Sequence, residues 1–147
     1  MFMFKKDSSL FYTCSLIEFI ARKTKNHPKY VIKSLGNDLE RIYEFEDVFH
    51  CEPIEKVADD FITRNNISNG NFDYISKCEY RIPGYWDIGK VFERLIEDCY
   101  IQEDVFTAIR EVYNSWLADK IYNFNSDLYF QPRDYLAECY KEGKILE

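Results

Sequence analysis

The sequence predicts an all-α protein: a single compact domain of about six to seven helices, with one short extended segment near residues 77–82. Apolar residues recur at spacings of three and four through most of the chain, which is the period of an amphipathic helix. Most of the four prolines and five glycines fall between these periodic stretches. With 147 residues, 46% of them hydrophobic, we expect residues 1–147 to share one core.

Three helices are predicted in the first third of the chain. The first extends to Pro28, and the second begins at Pro28, a residue favoured in the first helical turn. Gly36 follows the end of the second helix. The third runs from about 38 to 52, where Pro53 ends it because proline disfavours helical backbone in the residue before it.

The middle of the chain combines one strongly amphipathic helix with a long irregular connection. Residues 54–64 place apolar side chains on one stripe and charged side chains opposite, which indicates a surface helix. From residue 65 to residue 84 the helical period is lost, and Asn69-Gly70 marks a turn. Residues 77–82 alternate polar with apolar, which favours a short extended piece.

Three more helices are predicted in the last part of the chain, at about 86–100, 103–124 and 132–142. Gly89 weakens the first of them slightly. The stripe of 103–124 is the longest, so this helix is expected to be the central element of the fold.

The charge is unevenly distributed along the chain. Formal net charge is −7, yet residues 1–33 hold seven lysines and arginines against two acidic residues, a net +5, which leaves −12 for the remainder. The basic stretch 22–33 could bind phosphates, so a nucleic-acid-binding regulator is one alternative function. The acidic remainder would repel a long polyanion, which favours either a solvated helix end or a docking patch for an acidic protein.

The cysteines and the apolar runs indicate a cytoplasmic protein. Five scattered cysteines with no close pair predict reduced thiols. No run approaches the ~18 apolar residues of a membrane-spanning helix. Glu18 interrupts the apolar stretch near the start and no cleavage site follows, so no signal peptide is expected.

Exposed aromatic and basic residues are the candidates for a partner-binding surface. Twelve tyrosines exceed what a core of this size buries easily, because each hydroxyl needs a partner. Aromatic residues in irregular segments favour protein interfaces. The candidate partner-binding residues are Arg22, Lys23, Lys25, Tyr80, Tyr85 and Trp86.

Chemistry could also reside on the third predicted helix, where Glu46, Asp47 and His50 share one side. Asp47, His50 and Asp87 are candidates for a polar cleft. Glu44, Asp47 and His50 form an alternative metal set, as in a small metal-dependent hydrolase acting on a nucleotide. No phosphate loop, nucleophile elbow or Cys/His nucleophile signature occurs, so a non-enzymatic role without cofactor is favoured.

Three segments resemble a family of small uncharacterised bacterial proteins: YTCSLIEFIARKTKN at 12–26, DVFH at 47–50 and WDIGKV at 86–91. Members of that family are often encoded beside short proteins that resemble ADP-ribosyltransferases. The resemblance implies a toxin-antitoxin or defence setting and assigns no residue a role. The leading hypothesis is therefore a non-enzymatic interaction protein that partners or neutralises a toxin-like protein, with its oligomeric state open.

Overall fold

The computed structural model describes residues 7–100 and 104–147. This part of the chain contains nine α-helices, one 3-10 turn and no strand, so the all-α prediction is confirmed. None of its helices has the length and apolar character needed to cross a membrane. The helices are α1 Asp7–Thr24, α2 Pro28–Leu35, α3 Asp38–Glu44, α4 Glu46–Phe49, α5 Ile54–Arg64, α6 Tyr85–Cys99, α7 Val105–Tyr113, α8 Trp116–Ile121 and α9 Arg133–Glu142, with the 3-10 turn at Leu128–Phe130.

Helix α1 is the central element, contacting α2 through α6. Its side chains are buried on nearly all sides, including Leu10, Leu16 and Ile20. A helix that is apolar all round belongs in the interior. The prediction that residues 103–124 form one central helix was therefore wrong.

The predicted helix 103–124 is two helices, α7 and α8, because Ser115 caps the second. Its Oγ accepts a hydrogen bond from the Ala118 backbone N–H (3.2 Å) and donates to the Val112 carbonyl (2.7 Å). These bonds satisfy groups that an unbroken helix would have paired internally. Predicted residue 103 lies outside the described residues.

The third predicted helix is also divided, into α3 and α4, at Phe45. The backbone there leaves the helical region (φ −112°, ψ 30°). The break leaves the Phe45 ring exposed and turns the neighbouring Glu46 into the interior. Two divided helices explain why nine helices are found where six to seven were predicted.

The connection between α5 and α6 contains no helix, as predicted, and its segment 77–82 pairs with no strand of the described chain. Hydrogen bonds fasten this loop to the body of the protein. The Gly70 and Phe72 N–H groups donate to the Thr24 and Lys25 carbonyls (2.8 and 2.9 Å) at the end of α1. They satisfy carbonyls that the helix end would otherwise leave unpaired.

Helices α1 and α6 cross in direct contact at Ser15 and Gly89. A Cβ on Gly89 would lie 2.4 Å from Ser15 Oγ and 2.9 Å from both the Cα and the N of Ser15. Glycine is therefore needed because it allows this close approach of two backbones. The buried apolar residues on both sides of the crossing belong to one contiguous cluster.

Candidate functional site

The basic segment 22–33 does not form one patch, because its cations have different surroundings. Arg22 points inward, with its guanidinium carbon 5.7 Å from the ring centroid of Phe124 and its Nε and Nη2 atoms inaccessible to solvent. Lys23 Nζ lies 2.6 Å from a carboxylate oxygen of Asp59 on α5. Of the three cations proposed to bind a partner, only Lys25 is exposed without a described side-chain partner.

The second half of the segment forms one wall of a groove between α2 and α7, with a volume of about 560 Å³. Lys29 and Lys33, one helical turn apart on α2, face Arg110 on α7. These three side chains make no ion pair or hydrogen bond with any described residue. We call this the α2–α7 groove; its lining residues are Lys29, Tyr30, Ile32, Lys33, Gly36, Arg110 and Asn114.

The α2–α7 groove combines positive charge with apolar surface. None of its lining residues is acidic, although the whole chain has a net charge of −7. The Tyr30 ring is 42% exposed beside the two lysines. Cations that lack acidic partners around an exposed aromatic ring suit a ligand that supplies both carboxylates and apolar contact.

His27 fixes the start of α2 and so positions the groove lysines. Its Nδ1 accepts a hydrogen bond from the Lys29 backbone N–H (3.0 Å), and its Nε2 lies 2.8 Å from a carboxylate oxygen of Asp119 on α8. Because Nδ1 accepts, the ring must be neutral with its proton on Nε2. The ring also packs against Phe72 and Tyr122. Burial lowers the pKa of His27, and the hydrogen bond to Asp119 opposes this effect only in part.

We expect the contribution of the His27 cap to stability to decrease in mild acid. Since its folded-state pKa is below the value near 6.5 expected when unfolded, its contribution is complete above that pH. The contribution is lost as the pH falls through the folded-state value. His27→Asn keeps a cap acceptor without a titrating group. The free energy of unfolding of His27→Asn minus that of the wild type, both measured in urea, should therefore increase as the pH is lowered from 7.5 to 5. Parallel pH profiles would refute this role, because His50 is present in both proteins.

The three aromatic candidates do not line the groove. Tyr80 is exposed in the loop between α5 and α6. Tyr85 and Trp86 begin α6 and are partly buried, the former edge-on to Phe19 (5.0 Å between centroids) and the latter against Phe11 (5.4 Å). Two of the three therefore help to hold α6 on α1.

The polar-cleft candidates come together only in part. The rings of His50 and Trp86 stack, with 6.4 Å between centroids. Asp47 is exposed, and Asp87 accepts a hydrogen bond from the Gly84 N–H (2.8 Å) at the start of its own helix. His50 Nδ1 instead bonds Glu46 Oε2 (2.8 Å). The i, i+4 spacing of Glu46 and His50 was the sequence signal for this pair.

No group of three or more histidine, cysteine, aspartate or glutamate side chains in residues 7–100 and 104–147 is arranged to hold a metal ion. The alternative set of Glu44, Asp47 and His50 is therefore not assembled as a metal site. The division of α3 from α4 at Phe45 separates Glu44 from Asp47, which lies in α4, and from His50, which caps the end of α4.

A buried carboxyl, Glu18, is the strongest electrostatic feature that sequence reasoning did not assign to a site. It is fully buried on α1 and accepts a hydrogen bond from the Tyr122 hydroxyl. Burial raises its pKa to about 8, although the Tyr122 hydrogen bond and the Arg22 charge both lower it. Burial likewise raises the pKa of Tyr74. These groups form a polar cluster that contributes no lining residue to the α2–α7 groove.

The described helices therefore form an all-α fold with a basic groove between α2 and α7. No family model matches the chain, and no curated protein or solved structure is significantly similar to it.

Proposed function

We propose that this chain is a non-enzymatic interaction protein that binds an acidic segment of a partner protein in the α2–α7 groove. The observation that carries the proposal is the set of three cations, Lys29, Lys33 and Arg110, without acidic partners in a chain that is otherwise strongly acidic. Charge complementarity of this kind steers association and fixes the orientation of the partner.

A protein partner is favoured over nucleic acid. A long polyanion would extend beyond the groove and meet the chain's excess of negative charge, −12 outside residues 1–33. Two cations proposed for phosphate binding, Arg22 and Lys23, are engaged with Phe124 and Asp59. An acidic helix fits the groove better, because glutamates four residues apart match the spacing of Lys29 and Lys33.

The family resemblance supplies the first partner to test, namely a short toxin-like protein encoded beside this chain, which this protein would bind and neutralise. We place both proteins in the cytoplasm. The five cysteines support that compartment because all of them are free.

Reversing the charge of Lys29 should weaken partner binding about tenfold, since one reversal replaces an attraction by a repulsion in the groove. Lys29→Glu is chosen because an acidic residue in the first turn of α2 favours the helix. Binding would be measured by calorimetry with a Glu/Ala-rich helical peptide and by co-purification with the neighbouring toxin-like protein. Lys144→Glu is the matched control, because Lys144 is exposed, unpaired in the described chain and outside the groove.

The proposal fails if Lys29→Glu and Lys144→Glu bind the peptide equally well. It also fails if the wild type remains a monomer that does not bind the peptide at low salt. Tighter binding to duplex DNA than to the peptide, with a steep salt dependence, would also overturn it in favour of the nucleic-acid alternative.

A further inference from the structure

A second, smaller pocket lies between α6, the 3-10 turn and α9, with a volume of about 260 Å³. Val91, Leu95 and Leu136 form its apolar floor. Tyr129 and Phe130 form one wall, edge-on to each other with 4.9 Å between ring centroids. At ~30 Å³ for one water molecule, the volume admits on the order of ten non-hydrogen atoms.

Phe130 is 65% exposed at the edge of this pocket. An exposed aromatic ring next to an apolar floor indicates a surface that gains from being covered by an apolar group. The ring is placed by the 3-10 turn, which packs against both α6 and α8. The wall formed by Tyr129 and Phe130 therefore offers an apolar surface to a ligand, and α6 and α8 hold this wall in place.

The pocket has one cation available to a ligand. The two arginines that line it are Arg94 and Arg133. Arg133 donates to both carboxylate oxygens of Asp98 (3.0 and 2.8 Å) and to Glu97 (3.2 Å), so its charge is already balanced. Arg94 is exposed and makes no ion pair or hydrogen bond with any residue that the structure describes.

We infer that this pocket binds an apolar carboxylate, with the hydrocarbon part against Phe130 and Leu95 and the carboxylate on the Arg94 guanidinium. A guanidinium presents parallel N–H donors that match the two oxygens of one carboxylate. The same chemistry occurs in a small organic acid and in the last residue of a protein chain with an apolar side chain. The pocket shares no residue with the α2–α7 groove, so this inference is independent of the proposed function.

Matched acids and amides test the inference with the whole protein. The probes are 3-phenylpropionate against 3-phenylpropionamide, and the dipeptide N-acetyl-Ala-Phe with a free against an amidated carboxyl. We expect at least one acid to bind about tenfold more tightly than its amide, because only the acid forms a charge-assisted pair with Arg94. Binding would be followed by calorimetry and by amide shifts of residues 91–95 and 129–131 in ¹⁵N-resolved NMR spectra.

Two variants assign the effect to named residues. Arg94→Gln should remove the preference for acid over amide, whereas Phe130→Ala should weaken acid and amide alike. Arg81→Gln is the control, because Arg81 is exposed and lines neither this pocket nor the α2–α7 groove, so binding of the acids should be unchanged. Tighter binding of the dipeptide acid would identify a chain terminus as the ligand, and tighter binding of 3-phenylpropionate would identify a small acid.

The inference is overturned if acids and amides bind equally, if Arg94→Gln keeps the preference, or if no probe binds at millimolar concentration. Folding of each variant is checked by its NMR spectrum without ligand. If Phe130→Ala does not fold, Arg94→Gln alone tests the inference, because the Arg94 side chain is exposed and lies outside the core.

Discussion

Replacing Gly89 by alanine should destabilise the protein by about 2 kcal/mol, even though alanine is the better helix former. Overpacking of a dense interior costs about 1–3 kcal/mol. The overpacking cost at this site should lie at the upper end of that range, because the Cα and N atoms of Ser15 belong to the backbone and cannot move aside as a side chain can. Alanine's helix propensity returns about 1 kcal/mol, which leaves a net loss.

Urea unfolding of the wild type and of Gly89→Ala at one pH measures this loss. The sign of the difference in unfolding free energy tests the prediction. Ser15→Ala in the Gly89→Ala background should recover part of the stability, because it removes the Oγ atom that a Cβ would meet at 2.4 Å without adding a glycine to α1. The contacts to Ser15 Cα and N would remain. A Gly89→Ala protein at least as stable as the wild type would show that α1 and α6 are not in such close contact.

The positions of most helices could be predicted because they depend on local signals. Pro28 and Gly36 mark the two ends of α2, and Gly36 has the positive φ (55°) that glycine adopts without strain. The amphipathic stripe of residues 54–64 became α5 with the predicted bounds. Apolar spacing therefore located these helices along the chain, although it did not specify how they pack.

The helix breaks were harder to predict because they depend on single polar groups and on burial. In the sequence, nothing distinguishes Ser115 from the other residues of the apolar stripe. In the structure, its Oγ caps α8. Phe45 fits the apolar period of one long helix, yet its ring is exposed and the chain turns there to bury Glu46. Periodicity does not distinguish a continuous stripe from two stripes joined by a cap.

The candidate site could be predicted only for the part that is contiguous in sequence. Lys29 and Lys33 belong to the basic stretch that composition singles out, whereas Arg110 reaches the same groove from α7. Arg22 and Lys23 are adjacent in sequence, but only one of them faces the core. Their different environments follow from the orientation of α1, which the charge pattern does not contain.

Glu18 shows that one sequence signal can carry a second meaning that the first interpretation leaves unused. It is the single charged residue within an apolar run of α1, and its interruption of that run was one reason to expect no signal peptide. In the folded protein it is a buried carboxyl next to Tyr122. A lone acid on an otherwise apolar helical face is itself a signal for a shifted pKa.

We expect Glu18→Gln to stabilise the protein increasingly as the pH rises from about 4.5 to about 8. Burial raises the folded-state pKa of Glu18 to about 8, so the carboxyl stays protonated in the folded protein while it ionises in the unfolded chain. A group with a raised folded-state pKa contributes fully below its unfolded pKa, and this contribution is lost as the pH rises through the folded value. Glutamine keeps the acceptor for Tyr122 without titrating.

The gain of Glu18→Gln should be near zero at pH 4.5, on the order of 3 kcal/mol at pH 7, and constant above about pH 8. Urea unfolding of both proteins at intervals from pH 4.5 to 8.5 gives the difference directly, and every other titrating group cancels between them. Tyr122→Phe is the companion variant: it removes the hydroxyl that lowers the Glu18 pKa, so its stability should continue to fall at higher pH than that of the wild type. If the Arg22 charge instead kept Glu18 ionised in the folded protein, Glu18→Gln would be the less stable protein at pH 7, because the substitution would leave a buried guanidinium without its carboxylate.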